Sequence, residues 1–192
     1  MTDARSDERS AVVTRAVPAV PAIALSVPVW CTGPDGPTLD VASLPTTDAN
    51  RWSRPGEPTI YLAGDPGVAL AELGRHWAEQ EGKIAVWSGD LSLGAAADLR
   101  DPRVCAALDL PDDPTWVVDD ERCRSVASRL RSDEGLDGLI VPSVAFIDDP
   151  DRWNAVVFAE RLLGDLADVL RVRARRIVVT RCTDRGWAAH AG

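Results

Sequence analysis

The sequence predicts an α+β fold, a mixed and mainly antiparallel sheet core with a few helices. Three observations carry that expectation. Apolar runs rich in β-formers outnumber segments with helical periodicity. The helices do not follow every strand, as a doubly wound parallel sheet would require. At 192 residues, 45% hydrophobic and 27% charged, the chain suits one soluble domain that buries its core without disulfides or metals.

Residues 1–22 are polar, then rich in Ala, Val and Pro, and read as a disordered or extended arm, leaving 23–192 as a single domain. Ile23 to Trp30 is apolar and extended, a first strand. Residues 32–50 hold Gly33, Pro34, Gly36, Pro37 and Pro45 and read as a long surface loop. Thr59 to Ala63 is a short strand. Asp65 can accept from the free amides of the next turn, and Pro66 suits a first helical position. That helix is expected to run to about Gln80, with Ala69, Leu73 and Trp77 as its core stripe and Gly82 ending it. Lys83 to Leu93 alternates as a strand, with Ile84, Val86 and Leu91 inward. Asp101 to Leu108 is a short helix, and Asp119 or Asp120 caps another through Arg131, burying Val126 and Leu130. Asp137 to Val141 and Asn154 to Phe158 are strands. A short helical piece follows Phe158, and Val169 to Thr180 supplies a final strand or strand pair.

The charge excludes several function classes. A net charge of -9 with a pI near 4.7 argues against direct nucleic-acid binding, which depends on cations facing phosphates. The one basic run, Arg171, Arg173, Arg175 and Arg176, reads as a solvated strand face or edge. Cys31, Cys105, Cys123 and Cys182 form no C-x-x-C pair, and only His76 and His190 could add imidazoles, so reduced thiols are expected and no metal. Asp148, Asp149 and Asp151, split by Pro150, read as a solvated loop rather than a divalent-cation site, and His76 as a structural histidine one turn beyond Glu72. Pro18, Pro21 and Pro28 interrupt the apolar stretch Val17 to Trp30, and acidic residues precede it, which speaks against a secretory signal. A cytoplasmic protein without membrane contact is expected.

The densest chemical signal lies between Arg51 and Glu72. An arginine-bearing turn, Arg51-Trp52-Ser53-Arg54-Pro55-Gly56, leads into the strand Thr59-Ile60-Tyr61-Leu62-Ala63. That strand passes through Asp65-Pro66 into a helix with Ala69-Leu70-Ala71-Glu72. A cation, an aromatic hydroxyl and a carboxylate thus share one strand–turn–helix unit. Such groups can hold a phosphorylated nucleotide, stack on a flat ring and stabilise developing positive charge. A second block, Asp137-Gly138-Leu139-Ile140-Val141-Pro142-Ser143, is followed by Asn154-Ala155-Val156-Val157-Phe158.

Together these blocks resemble the RES domain family, over about Arg51 to Phe158. The resemblance implies an ADP-ribosyltransferase-like fold and an NAD-degrading toxin of a toxin–antitoxin pair. Such a toxin cleaves the nicotinamide–ribose bond as an NAD phosphorylase or glycohydrolase. NAD is then the substrate, inorganic phosphate a co-substrate and no cofactor is required. The implied partner is a cognate antitoxin; the sequence leaves the oligomeric state open and admits a homodimer.

By the same resemblance Glu72, Arg51 and Tyr61 are the catalytic candidates, and Ser143, Arg54 and Asn154 bind substrate. The residue types suit the chemistry. A carboxylate stabilises the oxocarbenium-like transition state of glycosyl transfer, and a guanidinium fork matches a phosphate. Tyr61 offers a face to the nicotinamide ring, and Ser143 a small hydroxyl for its carboxamide. The chain departs from the family's early arginine: the comparable stretch reads Val29-Trp30-Cys31-Thr32, and no arginine lies between Arg15 and Arg51. Arg54 is expected to substitute for it. The departure also admits a catalytically reduced protein that serves as a nucleotide-binding or protein-interaction module.

Overall fold

A computed structural model describes residues 20–76, 83–132, 136–162, 164–182 and 186–191. Seven strands, β1 (Ile23–Pro34), β2 (Thr59–Ala63), β3 (Lys83–Asp98), β4 (Gly138–Pro142), β5 (Trp153–Phe158), β6 (Leu170–Cys182) and β7 (Gly186–Ala191), form one sheet in the order β1-β2-β5-β4-β3-β6-β7. The helices are α1 (Pro66–His76), α2 (Pro102–Ala107), α3 (Asp120–Arg131) and α4 (Leu166–Val169). Pairing of β1 with β3 closes the first five strands of that order into a barrel, from which β6 and β7 extend. Among the described residues only β3 and β4 run parallel; the other pairings are antiparallel, as expected for a mainly antiparallel α+β core.

The length of β3 makes closure feasible. One of its edges carries β1 from Ile84 to Ala96, while the other is shared between β6 over Lys83–Leu91 and β4 over Ala96–Asp98. At the opposite seam β1 and β2 share a single registered pair, Trp30 opposite Ala63.

Alternation along the strands sorts side chains onto two faces. Ile60, Leu62, Ile140, Ala155 and Val157 pack together with Val29, Ala85 and Trp87 in one cluster. Leu139, Val141, Val156 and Phe158 point the other way, under α2 and α3, where Trp52 and Trp116 meet edge to face at 5.9 Å. Val86 joins Ala63, Val68 and Ala69 beneath α1.

The helix starts follow the predicted capping. Asp65 accepts from the amides of Gly67 (2.7 Å) and Val68 (3.1 Å), Asp101 from Arg103, and Asp119 from Glu121 and Arg122. Asp119 is therefore the cap of α3 and Asp120 its first residue.

Several boundaries differ from expectation, for physical reasons. β1 continues past Trp30 through Pro34, and β3 past Leu93 to Asp98, because each edges the other over that whole length. Residues 84–87 are all buried, so no alternation is visible there: β3 is covered on both faces. The loop that follows β1 contains a 3-10 turn, Val41–Ser43, capped by Asp40. The run Arg171 to Arg176 lies within β6 and pairs with β3, while the pairing of β6 with β7 begins only at Ile177, so among the described residues this stretch is an edge, as expected. Arg171 and Arg173 are solvated, and Arg173 pairs with Asp90. β7 was not anticipated.

Some expectations fall outside the described residues: the arm over residues 1–19, the helix end with Trp77 and Gly82, and the side chains of His76, Arg175, Arg176, Cys182 and His190. Cys31, Cys105 and Cys123 are buried and unpaired, and burial pushes their thiols up, Cys31 to about 12 and Cys123 to about 11. No group of potential metal ligands occurs among the described residues, and no described helix is long and apolar enough to cross a membrane.

Gly138 opens β4 where its neighbour approaches closely. A Cβ there would collide with the Val156 carbonyl oxygen and lie 3.2 Å from Val157 Cα. Gly138→Ala is expected to destabilise the domain by about 1–3 kcal/mol, since backbone of the β4–β5 ladder must shift. Urea unfolding checks this; a midpoint within error of the parent would show that the ladder yields freely.

Candidate active site

Glu72 stands on α1 above the ends of β4 and β5. Its place follows from the local sequence: β2 runs through Gly64 into the Asp65 cap, and burial of Val68, Ala69 and Leu73 fixes the rotation of the helix. Arg152, from the turn before β5, ties this start down. Its Nη1 donates to Asp65 Oδ1 at 2.7 Å while its guanidinium lies over the Phe146 ring at 5.1 Å.

Two groups hold the Glu72 carboxylate. Ser143 Oγ donates to Oε1 at 3.1 Å, and Asn154 Nδ2 donates to the same oxygen at 3.4 Å. Ser143 follows β4 and is fully buried; its Oγ also accepts from the amide of Ala145 at 3.3 Å, as cap of a short 3-10 turn. Accepting on one side, the hydroxyl turns its proton toward Glu72. Asn154 sits on β5 opposite both Ala63 of β2 and Val141 of β4, so the ladder itself delivers it to the carboxylate.

A cleft of about 510 Å³ opens at the narrow β1–β2 seam. Trp30, Cys31 and Thr32 of β1 and Tyr61, Leu62 and Ala63 of β2 line it, together with Glu72 and Asn154. The facing side comprises residues 49–52 with Asp120 and Arg124 of α3. That volume lies in the range of small-molecule sites.

Arg51 reaches across this side: Nη1 donates to the Val117 carbonyl at 2.7 Å and pairs with Asp120. The phenol of Tyr61 shares a hydrogen bond with Ser53 Oγ at 3.1 Å and accepts from the Trp52 amide at 3.3 Å. Burial nevertheless raises its pKa, so it stays a neutral phenol that anchors the Arg51 turn.

The structure thus brings Glu72, Ser143 and Asn154 into contact and sets Arg51 and Tyr61 in the same cleft. It does not bring Arg54 there. Arg54 lies outside the lining residues and donates through Nη2 to Glu121 at 2.8 Å, while its amide donates to Glu57 at 2.6 Å. Ser143 lies under Glu72 and not on the cleft wall.

Trp30 to Thr32, where the early arginine was sought, do line the cleft and supply no cation. The sequence reading missed Arg124, whose Nη1 donates to the Asn50 carbonyl at 3.4 Å and Nε to Glu121 at 3.2 Å. A signal existed: Arg124 follows Asp120 by four residues and Glu121 by three, the spacings that share a helix face.

The fold and cleft define a class: a small α+β barrel with a carboxylate and guanidiniums facing one nucleotide-sized cavity. The chain belongs to the RES domain family, whose profile matches residues 34–179. It is also similar in fold to a chain in the crystal structure of the M. tuberculosis MbcT–MbcA toxin–antitoxin complex. There the TM-score is 0.63 and the identity 21%, with 83% of this chain and 87% of that one covered. No curated protein matches.

Proposed function

We propose that this protein is the NAD-degrading toxin of a toxin–antitoxin pair, acting in the cytoplasm. It cleaves the nicotinamide–ribose bond with phosphate or water as acceptor. The observation that carries the reading is the Glu72 carboxylate, held by Ser143 and Asn154 beside a cleft that also presents Arg51.

As the ribose C1′–nitrogen bond breaks, its electron pair leaves with neutral nicotinamide and positive charge builds on the sugar. Glu72 stabilises that charge, and a phosphate or water oxygen then bonds to C1′, water releasing its proton. Arg51 takes the diphosphate, and the Tyr61 ring flanks the nicotinamide. Ser143 is a positioning residue here, because its hydroxyl is spent on Glu72. Family membership supports the substrate, and the fold shared with a component of a toxin–antitoxin complex supports a protein partner. Kinship with ADP-ribosyltransferases would add transfer to a macromolecule as a third fate.

The second reading, a nucleotide-binding module without catalysis, is favoured by the arginine-free stretch Trp30 to Thr32. Mass spectrometry of NAD incubated with purified protein and phosphate separates them. ADP-ribose-1″-phosphate indicates phosphorolysis and free ADP-ribose hydrolysis. No released nicotinamide, with NAD still bound, would leave the module. Expression in a bacterial host is expected to drain NAD and arrest growth; a level NAD pool would end the toxin reading.

A further inference from the structure

We infer that Arg124 of α3 is the second phosphate ligand of the cleft, acting with Arg51 on a phosphate group of the nucleotide or of the acceptor. The inference deepens the NAD reading and rests on it for the identity of the ligand. Arg51 and Arg124 are the arginines among the described residues that line the cleft. They stand on neighbouring elements. Arg51 pairs with Asp120, and Arg124 lies one helical turn further along the same face of α3.

Their commitments differ. Arg51 gives Nη1 to a short bond with the Val117 carbonyl and to Asp120. Arg124 makes two longer contacts, Nε to Glu121 at 3.2 Å and Nη1 to Asn50 at 3.4 Å, and no hydrogen bond among the described residues takes its Nη2. A guanidinium with an uncommitted edge at a cavity wall suits a phosphate oxygen pair.

Local charge permits it. On this wall Arg51 pairs with Asp120 while Arg54 and Arg124 share Glu121, so three guanidiniums meet two carboxylates there. The charged residues lining the cleft (Arg51 and Arg124 against Asp120 and Glu72) balance within a chain of net charge -9. Glu121 is held below the usual carboxylate range first by Arg54 and then by Arg124, which keeps it ionised and Arg124 in place. Arg54 carries part of Glu121's charge from outside the cleft, and so leaves Arg124 only partly neutralised within it.

Calorimetric titrations of the full chain test the inference without relying on turnover. The probes are ADP-ribose and inorganic phosphate, with nicotinamide riboside as a phosphate-free control. Arg124→Gln is expected to weaken ADP-ribose or phosphate by about 10- to 100-fold, the loss of one or two charge-assisted hydrogen bonds. Whichever probe suffers identifies the source of the phosphate group. Arg124→Lys should lose less, Arg103→Gln on the distant surface should lose nothing, and riboside binding should hold.

Arg124→Gln binding both phosphate probes within twofold of the parent would overturn the inference. So would an equal loss for the riboside, which would reveal a role in holding the Asn50 turn only. The function proposal fails separately: parent protein that leaves NAD intact while its ADP-ribose affinity depends on Arg124 would refute cleavage and keep the site.

Discussion

Glu72→Gln is expected to lower nicotinamide release from NAD by at least about 100- to 1,000-fold, with the protein still folded. Glutamine keeps the side chain's length and can still accept from Ser143 through its amide oxygen, so the packing around α1 is retained. It removes the negative charge. That charge matters most when positive charge has built on the ribose, so the loss should fall on kcat and leave KM nearly unchanged. Ser143→Ala and Asn154→Ala should each cost less, about 10-fold, since each removes one donor to Oε1 and leaves the carboxylate in place. Adding Ser143→Ala to Glu72→Gln should cost little more, because the serine acts through the glutamate. Glu72→Gln with more than a tenth of parental activity would remove Glu72 from the chemistry.

The elements that carry Glu72 and Ser143 were legible because each is local, but their hydrogen bond was not: Ser143 was expected to meet the nicotinamide carboxamide. Asp65-Pro66 starts a helix directly after a strand, and Gly138 to Ser143 is a buried strand ending in a cap. Barrel closure was not. Pairing β1 with β3 joins Trp30 to Ser88 across the chain, and no short-range pattern announces it. The same pairing lengthens both strands beyond their apolar runs.

Arg54 was misjudged because motif order says nothing of where a turn aims its side chains. Gly56, at φ 86°, reverses the chain, and the Glu57 carboxylate caps the Arg54 amide. The arginine is left to pair with Glu121. Arg124 escaped for the converse reason: on a helix as charged as α3 it looked like one more solvated residue. Only the packing of residues 49–52 against α3 turns that face into a wall of the cleft.

Arg131→Met is expected to destabilise the domain by about 2–4 kcal/mol, the larger of the two stability losses predicted. Arg131 closes α3 yet is only 9% exposed, and a guanidinium cannot shed its charge to suit burial. It pairs with Glu160 through Nη1, donates to Thr59 Oγ1 at 2.5 Å through Nη2 and stacks on the Phe158 ring at 4.1 Å. Its Nε makes no hydrogen bond and faces Glu57 at 3.5 Å as an ion contact only. One side chain thus joins α3, the start of β2, the end of β5 and the turn after it. Methionine fills similar volume but leaves Glu160 without its guanidinium partner. It also takes a donor from Thr59 and a cation from Glu57, which among the described residues keep only the Glu57 carbonyl and the Arg54 amide as partners. The side chains of Glu57 and Glu160 are 24% and 36% exposed and can recover some hydration, which holds the cost below that of a fully buried pair. Converting Glu160 to Gln in the Arg131→Met background should recover part of the loss, since one unpaired charge disappears. Urea unfolding of the single and double variants decides it. A single-variant loss under about 1 kcal/mol would show the cluster to be no stronger than an exposed ion pair.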